Sequence, residues 1–173
     1  MKRLTTIVLI GMPASGKSTI GRLLAERLKY KFIDTDEYIE EREQKSLQEI
    51  LDTEGIEIFC QIEEKRLLEL LPCSQHVIAP GGSIIYSKKV MHIFQKISLI
   101  VFLNLSLDIL QSRLRNKQAR GIVGLKTHTL QSIFEERLPL YIKYAHITVQ
   151  CDGKAPNNIT EEIIKHIDAA RQK

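Results

Sequence analysis

The sequence predicts an α/β protein, a five-stranded parallel sheet flanked by helices. Three observations carry this. Gly11-Met12-Pro13-Ala14-Ser15-Gly16-Lys17-Ser18 is a complete G-x-x-x-x-G-K-[ST] phosphate-binding loop. The loop stands between a β-branched apolar run and a stretch with helical spacing. Beyond it, strand-like and helix-like segments alternate to the end of the chain, the pattern of parallel strands joined by crossovers. The 173 residues suffice for one well-buried core and leave no room for a second substantial domain, so 1–173 reads as a single domain.

The elements follow in order. Leu4–Ile10 is apolar and β-branched, as a buried parallel strand should be, and Ile20, Leu23, Leu24 and Leu28 behind the loop recur on one helix face. The next strand is Lys31–Asp34. Ser46-Leu47-Gln48-Glu49 is a capping box that opens a helix, and Gly55 and Pro72 bracket the helical stretch from Ile56 to Leu71. His76–Ala79 forms a third strand, Leu99–Leu103 a fourth and His146–Val149 a fifth, with Ser87 and Ser106 as N-caps of the helices around His92 and Leu110. Glu135 to Tyr141 is helical. Ile159, Ile163, Ile164 and Ile167 give the segment Asn157–Ala170 an apolar stripe, so it is a helix packed on the sheet. Strand, phosphate loop and helix in this order make the expected architecture the P-loop NTPase fold.

Composition excludes several classes. With 43% hydrophobic and 27% charged residues the chain is neither disordered nor membrane-embedded. It also lacks the run of about 18–20 apolar residues that a membrane-spanning helix needs. The net charge of +4 suits a polyphosphate ligand, but basic and acidic residues alternate along the chain, which argues against nucleic-acid binding. Cys60, Cys73 and Cys151 are far apart and form no C-x-x-C pair, so neither a zinc site nor a disulfide framework is indicated and a reducing cytoplasm fits. Met1-Lys2-Arg3 followed by a short apolar run is read as the first strand, not a signal peptide. A monomer is expected.

The chemistry of the loop is that of nucleotide phosphates. The glycines let the backbone curl so that consecutive N–H groups converge on the β-phosphate at a helix N-terminus, with Gly11, Ala14, Ser15, Gly16 and Thr19 as nucleotide-binding residues. Lys17 reaches the β- and γ-phosphates of ATP, facing ligand and not core, and Ser18 offers a hydroxyl to Mg²⁺. Asp34-Thr35-Asp36 ends the second strand, at the carboxyl edge where open α/β sheets bind ligands. Asp34 is placed to hold Mg²⁺ through water, and Asp36 to take the proton of an acceptor hydroxyl. The alternative for Asp36 taken by itself is an ordinary helix N-cap. Gly81-Gly82, ending the third strand, would let backbone approach a ligand or simply make a turn.

Gln111 to Lys126 carries Arg113, Arg115, Lys117 and Arg120, then Gly121 and Gly124, with too few apolar residues for a core segment. It reads as a mobile basic lid of about residues 112–126, with Arg120 stabilising the transferring phosphoryl. Arg137 is a candidate fork for a carboxylate or a member of a local ion pair.

These residues together resemble the shikimate kinase family nearly end to end. The loop with Ser18-Thr19-Ile20-Gly21 is followed by Phe32-Ile33-Asp34-Thr35-Asp36 with Ile39-Glu40, Ser46 to Ile50, Glu54-Gly55, Phe59 and Glu63. Gly81-Gly82, Arg113, Arg120, Glu136-Arg137 with Pro139-Leu140-Tyr141, and Ala145 complete the match. The resemblance implies that Lys17, Ser18 and Asp34 handle phosphates and Mg²⁺. It further implies that Asp36, within an acceptor region of about 34–63, and Gly81-Gly82 contact shikimate, and that Arg137 pairs with its carboxylate. Arg113 would lie against the adenine, and Lys154 with Pro156 would form the adenine-side loop.

Three departures fall on the acceptor or lid side. The family's F-R-x-x-E arginine is Cys60, its third glycine is Ser83, and its R-P-L-L lid is Arg120-Gly121-Ile122-Val123. Lys65 and Arg66, five and six residues beyond Cys60, do not share its helix face. A charge-assisted hydrogen bond contributes roughly 1.5–3 kcal/mol, so its loss should weaken shikimate about ten- to a hundred-fold unless compensated. The expected activity is therefore ATP-dependent phosphorylation of a hydroxyl on a small carboxylate-bearing metabolite, with shikimate the first candidate. Another hydroxy acid, amino acid or sugar acid, a nucleoside monophosphate, and a nucleotide-binding module without catalysis are the alternatives.

Overall fold

The computed structural model describes residues 6–115, 123–124 and 127–171. Five strands form one parallel sheet: β1 (Thr6–Ile10), β2 (Lys31–Asp34), β3 (His76–Ala79), β4 (Ser98–Asn104) and β5 (Ile147–Gln150), in the order β2-β3-β1-β4-β5. β1 lies at the centre, Ile7 in register with Val77 on one side and Leu99 on the other. All five of its residues are buried, which is why the sequence there is apolar without alternation.

Among the described residues eight helices connect and flank the strands: α1 (Lys17–Leu28), α2 (Thr35–Glu43), α3 (Leu47–Thr53), α4 (Gly55–Glu69), α5 (Lys88–Ile97), α6 (Leu107–Arg115), α7 (Leu130–Tyr144) and α8 (Pro156–Arg171). A single 3₁₀ turn, Ile84–Tyr86, follows β3. The caps act as their residue types demand. Ser46 and Glu49 make the reciprocal capping box of α3, and Ser87 caps α5 by accepting from the Val90 N–H. None of the described helices is long and apolar enough to cross a membrane.

The boundaries differ from expectation at two strands. β4 gains Ser98 and Asn104, and β5 begins one residue late. The latter has a visible cause: the His146 N–H donates to the Ile100 carbonyl while its Nδ1 accepts from the Ile100 N–H, so its ring as well as its backbone pairs with β4. Helix α2 is not signalled by apolar spacing, because only Thr35 and Ile39 of its nine residues are buried.

Two apolar clusters hold the molecule. The main one joins the sheet to its helices, with Val8, Leu9, Val77, Ile78, Ile100, Val101 and Phe94 at its centre. A smaller one, Ile39, Leu47, Ile50, Phe59 and Val123, packs α2, α3 and α4 together beneath the carboxyl edge of the sheet. Val123 qualifies the reading of the lid as having too few apolar residues for a core segment, since it is buried in this second cluster. The expected lid boundary shifts as well: 112–115 form the last turn of α6. Residues 123–124 are turn. Arg120, Gly121 and the rest of that segment lie outside the described residues.

Candidate active site

β1 delivers the phosphate loop, β2 delivers Asp34 and Asp36, and β3 delivers Gly81 and Gly82, all at one edge of the sheet. Asp34 is in register with Ala79, so the two turns that follow start level. One cavity of about 680 Å³ runs along that edge, bordered by the loop from Pro13 to Thr19, by Asp34 and Asp36, by Gly81 to Ser83, and by Arg113, Arg137 and Lys154. Every described residue expected at the site therefore borders it, apart from Gly11, which sets the start of the loop.

Gly16 has φ +97°, a left-handed conformation that turns the chain into α1 and that a side chain would resist. Lys17 does not stand free: its Nζ donates to the Gly11 carbonyl at 3.0 Å and the Met12 carbonyl at 3.1 Å. Burial lowers its pKa to about 8, against the opposing pull of Asp36 and Asp34. Ser18 Oγ donates to Asp34 Oδ2 at 2.5 Å. Arg113 Nη1 reaches across to the Ala14 carbonyl at 3.0 Å, which places its guanidinium against the loop. Lys154 borders the same cavity, but its ammonium is bound to Glu162 at 2.6 Å.

The two aspartates divide their tasks. Asp34 is the N-cap of α2, accepting from the Asp36 N–H at 3.1 Å, and this removes capping from the roles open to Asp36. Burial and the nearby Asp34 raise the Asp36 pKa to about 6, with Lys17 pulling the other way. Asp34 and Ser18 together present hard oxygen donors. Among the described residues no group of three or more His, Cys, Asp or Glu side chains could hold a metal unaided, so a cation here needs phosphate oxygens and water as its remaining ligands.

At the far end of the cavity Arg137 is 1% exposed, which rules out a surface ion pair. Its Nη2 donates to the Val123 carbonyl at 3.0 Å and its Nε to the Tyr86 hydroxyl at 3.2 Å. Nη1 stands 3.1 Å from where a Gly82 side chain would begin, and Arg137 borders the cavity and also interacts with the Tyr141 hydroxyl. Tyr141, stacked on Phe102 with ring centroids 5.0 Å apart, donates its hydroxyl to the Gly82 carbonyl at 2.7 Å.

Site reasoning on sequence missed Glu63 as a functional group. It is 2% exposed, accepts from Ser83 Oγ at 2.5 Å, and burial raises its pKa to about 7 despite that hydrogen bond. A side chain at Gly81 would run into the Glu63 carboxylate as it is placed here, so glycine leaves that carboxylate its position. Cys60 borders a second cavity of about 440 Å³ that shares Glu63 and Ser83 with the first.

The model of the shikimate kinase family matches residues 13–168 of this chain. A shikimate kinase of a Sulfurihydrogenibium species is 34% identical over 161 residues, covering 93% of this chain and 96% of the relative. One from Clostridium botulinum is 39% identical over 170 residues, covering 96% of each. The crystallised shikimate kinase of Acinetobacter baumannii, in complex with shikimate, superposes with a TM-score of 0.88 at 27% identity, covering 98% of this chain and 96% of that one. Sequence and architecture agree over nearly the whole length, and the chain belongs to the shikimate kinase family.

Proposed function

We propose that this protein transfers the γ-phosphoryl group of ATP to a hydroxyl of shikimate, giving shikimate 3-phosphate. The carrying observation is the single cavity that has the phosphate loop at one end and Asp36, Gly81-Gly82 and the buried Arg137 at the other. Donor and acceptor would lie side by side there, as direct in-line transfer requires. The family is that of the Acinetobacter baumannii enzyme crystallised with shikimate, which supports this acceptor.

Each residue has its task. Lys17 turns from the Gly11 and Met12 carbonyls to the β- and γ-phosphates, and the loop N–H groups orient them. Ser18 and Asp34 would hold Mg²⁺, which supplies charge neutralisation across the phosphates. Asp36 takes the proton from the attacking hydroxyl, a task that a carboxylate with a pKa near 6 performs better than an ordinary one. Arg137 Nη1 clamps the acceptor carboxylate, its other nitrogens being held by Val123 and Tyr86. Arg113 lies over the nucleotide, Thr19 and Lys154 border it, and Arg120 supplies positive charge from the lid. The same reading has the protein acting as a cytoplasmic monomer on small molecules, not on nucleic acid or at a membrane.

Cys60 favours a second reading within the same chemistry, another small hydroxy acid as acceptor. A coupled assay with ATP, Mg²⁺ and a panel of shikimate, sugar acids, hydroxy amino acids, AMP and CMP tests both. Turnover of shikimate at an ordinary enzyme's kcat/KM supports the proposal, and silence on shikimate with turnover of another acceptor overturns it.

A further inference from the structure

Two of the departures from the family pattern, Cys60 and Ser83, converge on one side chain. Glu63 lies three residues after Cys60 on α4, close to one turn of helix. Its Oε2 accepts from Ser83 Oγ at 2.5 Å, a bond between two buried residues. Its Oε1 faces the bare Cα of Gly81, and Asp36 Oδ1 comes within 3.3 Å of where a side chain at Gly81 would begin. Glu63 and Ser83 border both the active-site cavity and the 440 Å³ cavity beside Cys60, so their hydrogen bond forms part of the partition between the two.

Among the described residues no cationic side chain lines the far cavity: Glu57, Gln61 and Glu64 border it with Cys60 and Tyr86. The Cys60 thiol is a weak donor, and burial, reinforced by the Glu63 carboxylate, pushes its pKa up to about 11, so it brings no charge to Glu63. Released from Ser83, the carboxyl would have the far cavity to turn into. We infer that Ser83 is a positioning residue for the acceptor: its hydroxyl holds Glu63 turned into the active-site cavity, a task that falls to it because residue 60 carries no guanidinium. Held so, Glu63 keeps Oε1 available to a hydroxyl of the acceptor. Ser83 acts through Glu63 and need not touch the reacting atoms.

The inference rests on the proposed acceptor reading, so the test has one arm that depends on it and one that does not. Ser83 has φ −82°, which alanine adopts freely, so Ser83→Ala perturbs the hydroxyl and little else. In steady-state assays with shikimate this variant should raise KM about ten-fold, leave KM for ATP within about two-fold, and change kcat less than KM. In a Cys60→Arg background the same change should raise KM by less than about three-fold, because a guanidinium three residues before Glu63 on the helix can pair with its carboxylate. Equal effects in the two backgrounds, or no effect in either, overturn the inference.

The second arm needs no acceptor. Carboxyl NMR titration of the free protein, with Glu63→Gln to assign the signal, follows Glu63 directly. Lys17, Asp36, Arg137 and Cys60 act on this carboxyl alongside Ser83, and are unchanged in the Ser83→Ala variant. The Ser83 bond lowers the Glu63 pKa, so its loss should move the titration upward, and Cys60→Arg should move it back down. An unmoved titration overturns the positioning role. If shikimate is not a substrate of the parent, the acceptor reading fails while this arm still decides whether Ser83 holds Glu63. A moved titration with unchanged KM for shikimate means that the hydroxyl holds Glu63 without serving the acceptor, and sinks the inference.

Discussion

The hydroxyl of Tyr141 donates to the Gly82 carbonyl at 2.7 Å, tying the last turn of α7 to the turn after β3. Tyr141 is 1% exposed and stacked on Phe102, so the bond is anchored in the main core and not at the surface. Its removal should be felt at both places. Tyr141→Phe keeps the ring but leaves a carbonyl without its donor, which should destabilise the fold by about 1 kcal/mol. Because Gly82 borders the acceptor end, KM for the acceptor should rise while KM for ATP stays. Thermal melts and paired KM measurements check both, and an unchanged acceptor KM would mean that the turn holds its shape without the tyrosine.

Lys17→Ala should abolish phosphoryl transfer. It also uncovers the Gly11 and Met12 carbonyls, so the variant should fold but melt slightly lower than the parent. The lowered pKa, about 8, adds a signature that mutation alone does not provide. An ammonium facing polyphosphate is stabilised in its charged form, so ATP binding near pH 8 should take up protons, and the uptake should fade at pH 6.5, where Lys17 is already charged. Calorimetry in buffers of different ionisation enthalpy measures it. Lys17→Ala should lose the uptake.

For Asp36, kcat/KM for the acceptor should rise with pH through about 6 and then level, since the deprotonated carboxylate is the active form. The stability effect has the opposite sense. A carboxyl whose folded pKa exceeds its unfolded value of 3.8 favours the fold at low pH, and that contribution is lost as pH climbs through about 6. Asp36→Asn should therefore be inactive yet melt higher than the parent at pH 8, by about 2 °C or more for a domain of this size. A lower melting temperature at pH 8 would show that the charged form is not penalised.

Arg137 requires a gentler substitution than alanine. Its burial and its bond to Val123 mean that truncation would leave a buried carbonyl unpaired and weaken the fold. Arg137→Lys keeps the charge but not the fork. Acceptor kcat/KM should fall by about ten-fold or more, with ATP affinity by calorimetry little changed. Loss of ATP affinity in a folded Arg137→Lys protein would place this residue at the wrong end of the cavity.

Cys60→Arg restores a guanidinium on the acceptor side. If shikimate is the acceptor, its KM should fall about ten-fold, as expected for a charge-assisted contact. If the pocket serves another acid, the bulk should obstruct that acid and help shikimate little. Comparing kcat/KM for both acceptors in parent and variant separates the cases.

The parts of the site that lie within one stretch of chain were legible from sequence. The phosphate loop, the capping box at Ser46 and Glu49, and the Ser87 cap are local motifs, and they stand where the spacing put them. Parts made by meeting segments were not. The Glu63–Ser83 bond joins α4 to the turn after β3, and nothing in either segment alone points to the other. Val123 belongs to a stretch with too few apolar residues for a core segment, and its burial comes from its meeting the cluster formed by α2, α3 and α4. The division between Asp34 as cap and Asp36 as free carboxylate depends on backbone direction at the end of β2, which residue types do not reveal. Helix α2 escaped notice because its stability comes from a cap and one buried face residue, Ile39, with no amphipathic repeat to show it.

The ammonium of Lys17, engaged by two backbone oxygens, sets a condition on what can occupy the loop. A ligand does not enter an empty electrostatic slot but competes with peptide dipoles already in place. Neutral molecules offer nothing those dipoles lack, and a monoanion offers little more after its own dehydration. A clustered multiple charge outbids them because attraction grows with each added charge while the two displaced contacts stay the same. The loop should therefore select by valence before it selects by shape, favouring a triphosphate chain over chloride and simple carboxylates.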